Sequence, residues 1–331
     1  MSRGRTLAEI CEEFNLSPER VLAYLKSHTV LNGHELFVHR NNSQEQIYVY
    51  APRNNQADKL PNRIWRFRMH PNLPYIWIAF PDDLTFRKII LAPVSDAHYG
   101  ALAHMSKEFD EYLEWIKNSD NVFGFLTGDE MENTHQDFPP GGVFEQSIRP
   151  RKQLIQLREK LRPLAHKILF GIPGNHEWRS AKKADIDPLW VICDSLGIPY
   201  FDEPVYVDIL WNGYVFTMFC QHGGGNAITK GGKLNRALRP LEFQEHVMFN
   251  IMGHVHDSIL DETPCICRER KFDKDGKLVS FRLVHRKQYT VICPSFMKFF
   301  GSYAARAGYS PPSFGITVCE IYPNGDYNIT G

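Results

Sequence analysis

Five apolar runs in this chain each end in a polar cluster drawn from aspartate, asparagine and histidine. "RKIILAPV" passes into Asp96 and His98, "NVFGFLT" into Gly128-Asp129, and "HKILFGIP" into Gly174-Asn175-His176. "YVFTMFC" passes into His222 before three glycines, and "MFNIM" into Gly253-His254-Val255-His256. Short β-branched and aromatic runs bounded by glycine read as strands. Open α/β sheets place their sites beyond the carboxyl ends of strands, where these residues fall. Each cluster alone has an ordinary explanation. A strand-end aspartate is commonly a helix N-cap, Asn175-His176 after a glycine fits an Asx-type turn, and His254 with His256 fits a surface loop. Five in one chain are much harder to explain that way. Carboxylate, imidazole and amide oxygen without thiolate form a donor set for a hard-to-borderline divalent metal.

The segments around these runs set the fold class. After "RKIILAPVSD" comes an amphipathic helix carrying Leu102, Met105, Phe109, Tyr112, Leu113 and Ile116. "FEQSIRPRKQLIQLREKLRPL" and "DPLWVICDSLG" are further helical regions, so strands and helices alternate. The second half is richer in strands. "VYVDILWNGYVFTMFCQHG" reads as a hairpin turned at Asn212-Gly213, and a second strand-rich stretch turns at Asp275-Gly276. Alternation followed by hairpins implies mixed sheets rather than a purely parallel fold. Residues 1–52 read differently. "TLAEICEEFNLSPERVLAYLKS" gives two short amphipathic helices, and "HELFVHR" with "QIYVYAP" a hairpin across residues 41–45. This resembles a helix-turn-helix with a wing, the alternative being two helices docked on the main domain. Residues 53–86 form a linker and lead-in, opening in the polar, proline-flanked stretch "APRNNQADKLPNR" of residues 51–63, and residues 87–331 the main domain.

Composition removes several classes. Lys+Arg and Asp+Glu number 38 each, so no overall basic field demands nucleic acid. No apolar run approaches the roughly 20 residues of a membrane span, and the N-terminus lacks the apolar core of a secretory signal. With seven scattered cysteines, an odd number, free thiols in a reducing, cytoplasmic setting are expected. Cys265 and Cys267 have no second C-x-x-C to complete a zinc site and read as strand residues.

"DAH", "GDEME", "GNHE", a lone histidine and "GHVH" stand in the order used by the calcineurin-like metallophosphoesterases, which the chain resembles from about Ile89 to His256. The resemblance implies an α/β fold, a four-layer α/β-β/α sandwich of two mixed sheets. It also implies two divalent metals, with Mn²⁺ favoured and Fe²⁺, Ni²⁺ or Zn²⁺ compatible with the donors. One metal would take Asp96, His98 and His256, the other Asn175, His222 and His254, with Asp129 and a water or hydroxide bridging them. Two such cations acidify the water and neutralise charge on the phosphoryl oxygens. His176 would face the leaving oxygen as general acid or stabilising charge. Glu132 would orient His176; the alternative is an exposed acid at a helix start.

The superfamily includes protein phosphatases, nucleotidases and Mre11/SbcD-type nucleases, so the motifs imply phosphoester hydrolysis without naming a substrate. Ser/Thr protein phosphatases carry an arginine where this chain has Asn133, which weakens that reading. The winged-helix-like module favours nucleic acid, although its basic residues are matched by acidic ones. "PSFMKFFGSYAARAGYSPPSFG" interleaves Lys298 and Arg306 with aromatics, as single-strand binding surfaces do; an aromatic helix closing the domain is the other reading. Its "SF…Y…GY.PP..G" pattern is similar to bacteriophage phosphoesterases. Trp178 and Arg179, directly after "GNHE", are expected to line the substrate side. The leading expectation is a phosphodiesterase or nuclease acting on DNA, single-stranded or at ends. The alternatives are a phosphomonoesterase on nucleotides or small phosphates and a non-catalytic scaffold. Oligomeric state has no sequence signal.

Overall fold

A computed structural model of the chain describes residues 5–14, 16–27, 30–31, 34–40, 46–52, 60, 62–136, 142–225, 227–244, 246–272, 277–300, 303–306, 311–313 and 315–331. The chain divides into two compact units, one of residues up to Gln56 with Arg68–Leu73, the other of Ala57–Phe67 with Pro74–Gly331.

The first unit holds β1 (Arg5–Thr6), α1 (Leu7–Phe14), α2 (Pro18–Ser27), β2 (Val30–Leu31), β3 (His34–Arg40) and β4 (Gln46–Pro52). Pro18 opens α2, where its fixed φ suits the first helical position. Val21 and Leu25 of α2 are buried against Leu7, Ile10 and Cys11 of α1. The strands form an antiparallel sheet in the order β1-β4-β3-β2, with β3 and β4 paired from His34 opposite Pro52 to Arg40 opposite Gln46. The helix pair and hairpin expected from sequence are both present; the expected turn residues 41–45 lie outside the described residues, as does most of the expected linker.

The remaining elements are β5 (Arg66–Met69), β6 (Tyr75–Ala79), β7 (Ile89–Val94), α3 (Ser106–Asn118), β8 (Val122–Leu126), α4 (Pro150–Leu161), β9 (Ile168–Gly171), α5 (Glu177–Ala184), α6 (Pro188–Leu196), β10 (Val205–Trp211), β11 (Tyr214–Gln221), α7 (Lys230–Leu238), β12 (Phe249–Met252), β13 (Ile259–Phe272), β14 (Leu278–Ile292), α8 (Tyr303–Arg306), β15 (Val318–Ile321) and β16 (Tyr327–Thr330). They build two mixed sheets with flanking helices. One runs β16-β15-β7-β8-β9 and the other β13-β14-β12-β11-β10-β6-β5. β7, β8 and β9 are parallel, and β15 is antiparallel to β7. In the second sheet β11, β12 and β14 are parallel, while β10–β11 and β13–β14 are antiparallel hairpins.

Strands covered on both faces lose the alternation of a half-exposed strand. β8 and β9 are buried throughout. On β7 and β8, Ala92, Val94, Val122 and Leu126 face the helices and join a core with Phe109 and Ile116 of α3, Leu157 of α4 and Ile192 of α6. Phe123, of opposite parity, meets Phe80 edge-on at 4.7 Å. α7 covers β12 and β14 through Ala237, Met252 and Ile292.

Three local expectations are corrected or placed. The helix after β7 begins at Ser106; Leu102 is exposed and precedes it. The amides of Leu102 and Met105 are instead tied to the carbonyls of Glu145 and Phe296. Asn212 and Gly213 both take positive φ, 52° and 79°, and close the β10–β11 hairpin as expected. The expected turn at Asp275-Gly276 lies outside the described residues. No described helix is long and apolar enough to cross a membrane.

Candidate metal centre

The loops after β7, β8, β9, β11 and β12 converge at the carboxyl ends of both sheets. Among the described residues, nine non-glycine residues have positive φ, and six of them are here: Asp96, His98, Asp129, Asn133, His254 and His256, between 44° and 70°. Such backbone costs of order 1–3 kcal/mol per residue and persists only where surroundings over-determine it. Glycines permit the approach. A Cβ on Gly174 would stand 2.1 Å from the Asp129 carboxylate, and one on Gly128 would stand 2.4 Å from the Gly174 amide. Gly253 acts in the same way: a Cβ there would meet Asp96 Oδ2 at 2.8 Å. Its role is therefore room beside Asp96.

Two clusters result. In the first, Asp96, His98 and His256 bring one donor atom each within 4.8 Å of one another. His256 Nε2 lies 3.2 Å from Asp96 Oδ1 and 3.0 Å from His98 Nε2. The Asp96 carboxylate is held by the His254 amide at 2.9 Å and the Ser95 hydroxyl at 2.5 Å. In the second, His222 Nε2 is 3.3 Å from Asp129 Oδ2 and 3.1 Å from Asn175 Oδ1, and His254 Nδ1 is 2.7 Å from Asn175 Oδ1. Asp129 Oδ2 also faces His98 Nε2 at 3.9 Å, so one oxygen is presented to both clusters.

The tautomers show what the second cluster suits. His222 Nδ1 donates to the Thr127 carbonyl and His254 Nε2 to the Gly225 carbonyl. The nitrogens turned inward are then lone pairs aimed at Asn175 Oδ1 and a carboxylate. Such a set of inward-facing acceptors suits a cation, either a proton on His222 or a metal ion. Burial opposes charge on His222, yet the Asp129 carboxylate outweighs it and pushes that imidazole up to about 10. The negative potential that draws a proton there is the one that would hold a divalent ion. Burial likewise opposes ionisation of Asp96, but the hydrogen bond and charge of His256 hold its pKa at about 2. Asp129, also buried, is held well below the usual range by His176 and His222.

His176 borders the first cluster. Its amide donates to Asp129 Oδ1 at 2.8 Å, and its Nδ1 donates to the Glu132 carbonyl at 2.7 Å. Arg179 Nη2 donates to His176 Nε2 at 2.7 Å, and burial pushes this imidazole down to about 4. The Glu132 carboxylate is 3.1 Å from His98 Nδ1 and 3.7 Å from His176 Nδ1. The side chain thus serves His98 first, and Glu132 orients His176 through its backbone oxygen. Asn133 Nδ2 donates to the His176 carbonyl at 2.6 Å.

A cavity of about 880 Å³ opens on the Asn175 and His222 side. Trp178 and Phe243 line it with Lys182, Arg236 and Arg239, beside the acids Asp202 and Glu203. Trp178 thus lines a cavity next to the donors, and Arg179 lies against His176. Lys298 and Arg306 do not line this cavity: the Lys298 side chain is exposed, and Arg306 pairs with Glu145.

Two functional features were not read from sequence. Fully buried Glu177 accepts the amides of Asp129, Met131 and Gly174 at 2.9–3.0 Å and clamps two of the site loops together. Its place directly after Asn175-His176 was the available signal. Arg236 and Arg239 carry no motif; only folding brings them to the cavity.

A metal centre of carboxylate, imidazole and amide donors at the strand ends of a two-sheet α/β sandwich defines a metal-dependent hydrolase class. A family model for calcineurin-like phosphoesterase matches residues 91–307, well over half of the chain and spanning every residue of both clusters. The chain belongs to this family, whose members are phosphoester hydrolases that typically bind two divalent metals. No curated protein matches it.

Proposed function

We propose that the protein is a two-metal phosphodiesterase that cleaves nucleic acid, with DNA strands or ends as substrate. The observation that carries this reading is the cavity beside the second cluster. It has the volume of a nucleotide-sized site, exposed aromatic faces on Trp178 and Phe243, and three cationic side chains. Aromatic faces stack bases and cations hold backbone phosphates, independently of sequence. The helix pair and hairpin of residues 1–52 are a second candidate contact.

Asp96, His98 and His256 would hold one metal, and Asn175, His222 and His254 the other. Asp129 Oδ2, which faces both clusters, would be the shared ligand. Bound there, the two ions supply an acidified water and neutralise charge on the phosphoryl oxygens. The chain's own groups do the remainder. Glu132 fixes the tautomer of His98, which leaves the Nε2 lone pair on the side of His256 and Asp129, where it would serve as a metal ligand. His176 is held with Nδ1 on the Glu132 carbonyl and Nε2 accepting from Arg179 at 2.7 Å, so the Arg179 guanidinium supplies the positive charge beside the departing oxygen.

The test is a panel of single- and double-stranded DNA, bis-p-nitrophenyl phosphate and p-nitrophenyl phosphate, run with Mn²⁺, Fe²⁺, Ni²⁺ and Zn²⁺ and with and without residues 1–60. Cleavage of DNA and preference for the diester are expected, with Mn²⁺ most effective. Hydrolysis of the monoester far faster than the diester would instead establish a phosphomonoesterase. Inactivity on every substrate with every metal would overturn the catalytic reading.

A further inference from the structure

Cys265 and Cys267 are two apart on β13 and so project from one face of it. Their sulfurs stand 4.0 Å apart. β14 places Arg286 opposite Cys265, and the parallel β12–β14 pair places Phe249 opposite Tyr289. Carried back three residues, that register brings His246 alongside the same row. An imidazole nitrogen of His246 and the two sulfurs all lie within 4.8 Å of one another, and all three residues are half-buried. Among the described residues, this is the one cluster of potential metal donors that contains thiols.

We propose that His246, Cys265 and Cys267 form a zinc site, separate from the phosphoesterase centre and different from it in chemistry. Two thiolates on a tetrahedral zinc, with bonds near 2.3 Å, stand about 3.8 Å apart. The observed 4.0 Å needs an adjustment of only a few tenths of an ångström, whereas a disulfide would need closure to about 2.05 Å. Thiolate and imidazole select Zn²⁺ over Mn²⁺, Mg²⁺ and Ca²⁺. Three protein ligands leave the fourth position to water. Burial, reinforced by Cys267, pushes the Cys265 thiol up to about 11; that sulfur stays protonated until a cation displaces its proton. Zinc here would tie edge strand β13 to the segment entering β12, whose far end carries His254 and His256.

Reduced, metal-stripped full-length protein is titrated with Co²⁺ and followed by absorption. Thiolate ligation gives an intense near-ultraviolet charge-transfer band, which oxygen and nitrogen donors do not, so the phosphoesterase centre is silent in this readout. The expected result is a band that saturates at one equivalent of thiolate-bound cobalt, is bleached by Zn²⁺, and disappears in the C265S/C267S variant. That variant should keep phosphoesterase turnover within about twofold when its other metals are supplied. No band in the native sequence, or one that persists in C265S/C267S, would overturn the site. Should the variant not fold, alkylation of the native protein decides. Zn²⁺ should slow modification of Cys265 and Cys267 by at least about tenfold, and equal rates with and without Zn²⁺ count against the proposal.

Discussion

The two donor groups of this molecule are assembled in opposite ways. The Asp/His/Asn centre draws one or two residues from each of five loops, across two sheets, and holds six of its backbone positions at positive φ. The thiol cluster takes two residues from one strand and a third from the approach to another strand of the same sheet. A centre gathered from many loops needs supports for every loop. Glu177 clamps the loops after β8 and β9, and Lys233 pairs with Asp257 at 3.1 Å to pin the loop carrying His256. A cluster on adjoining strands inherits its geometry from the ladder. The first arrangement can hold two ions with a shared oxygen between them; the second fits a single tetrahedral ion.

This contrast can be broken most directly at Asp129. Asp129→Asn removes the charge on the oxygen common to both clusters, and turnover should fall by roughly 10³-fold or more. Metal analysis should show fewer ions at the phosphoesterase centre, with the thiolate–cobalt band intact. Near-normal turnover would show that Asp129 is not shared. His176→Ala comes next: turnover should drop about 10²–10⁴-fold while metal content stays at the level of the unmodified protein, because His176 groups with His98 and Glu132 and belongs to neither of the two clusters assigned to the metals. A parallel loss of metal would make it a ligand. Glu132→Gln sharpens the finding that this carboxylate serves His98. Metal affinity should weaken about 10–100-fold, seen as a higher metal concentration for half-maximal activity, and an effect on turnover alone would return Glu132 to His176.

The smallest effect lies outside both centres and calibrates them. Lys88 and Glu320 form a pair at 2.5 Å; burial opposes ionisation of Glu320, but Lys88 and Tyr322 hold its pKa below the usual range. Because the folded pKa is depressed, the stabilisation is present above the unfolded glutamate value and is lost as pH falls through the folded one. Lys88 is more than a third exposed, so Glu320→Gln should cost under about 1 kcal/mol near neutral pH. Thermal melts of the two proteins should converge in acid; a difference that grows as pH falls would contradict the pairing.

Much of the centre was legible because its signal is local. A buried parallel strand is a short apolar run, and the residue where it stops is read directly from the chain, as at Asp96, Asp129, Asn175, His222 and His254. That the Glu132 carboxylate also reaches His98 was not legible in the sequence, because its Oε2 lies 3.1 Å from His98 Nδ1 and 3.7 Å from His176 Nδ1, distances that only the folded chain fixes. Leu102 was placed on a helix by its spacing, whereas its amide is taken by Glu145, a partner that periodicity cannot see. Arg236, Arg239 and Phe243 follow no strand-end rule and reach the cavity from α7 and the turn that follows it.

By itself, the sequence determined the strand–helix alternation, the closing hairpins and the identity of the donors that strand ends expose, because each depends on neighbours in the chain. Tertiary structure decided which donors face one another, which carboxylate lies nearest which imidazole, and that His246 meets Cys265 and Cys267. Those pairings span up to 160 residues, from Asp96 to His256. They exist only once two sheets have brought separate strand ends within a few ångströms, where hydrogen bonding and charge can choose between partners.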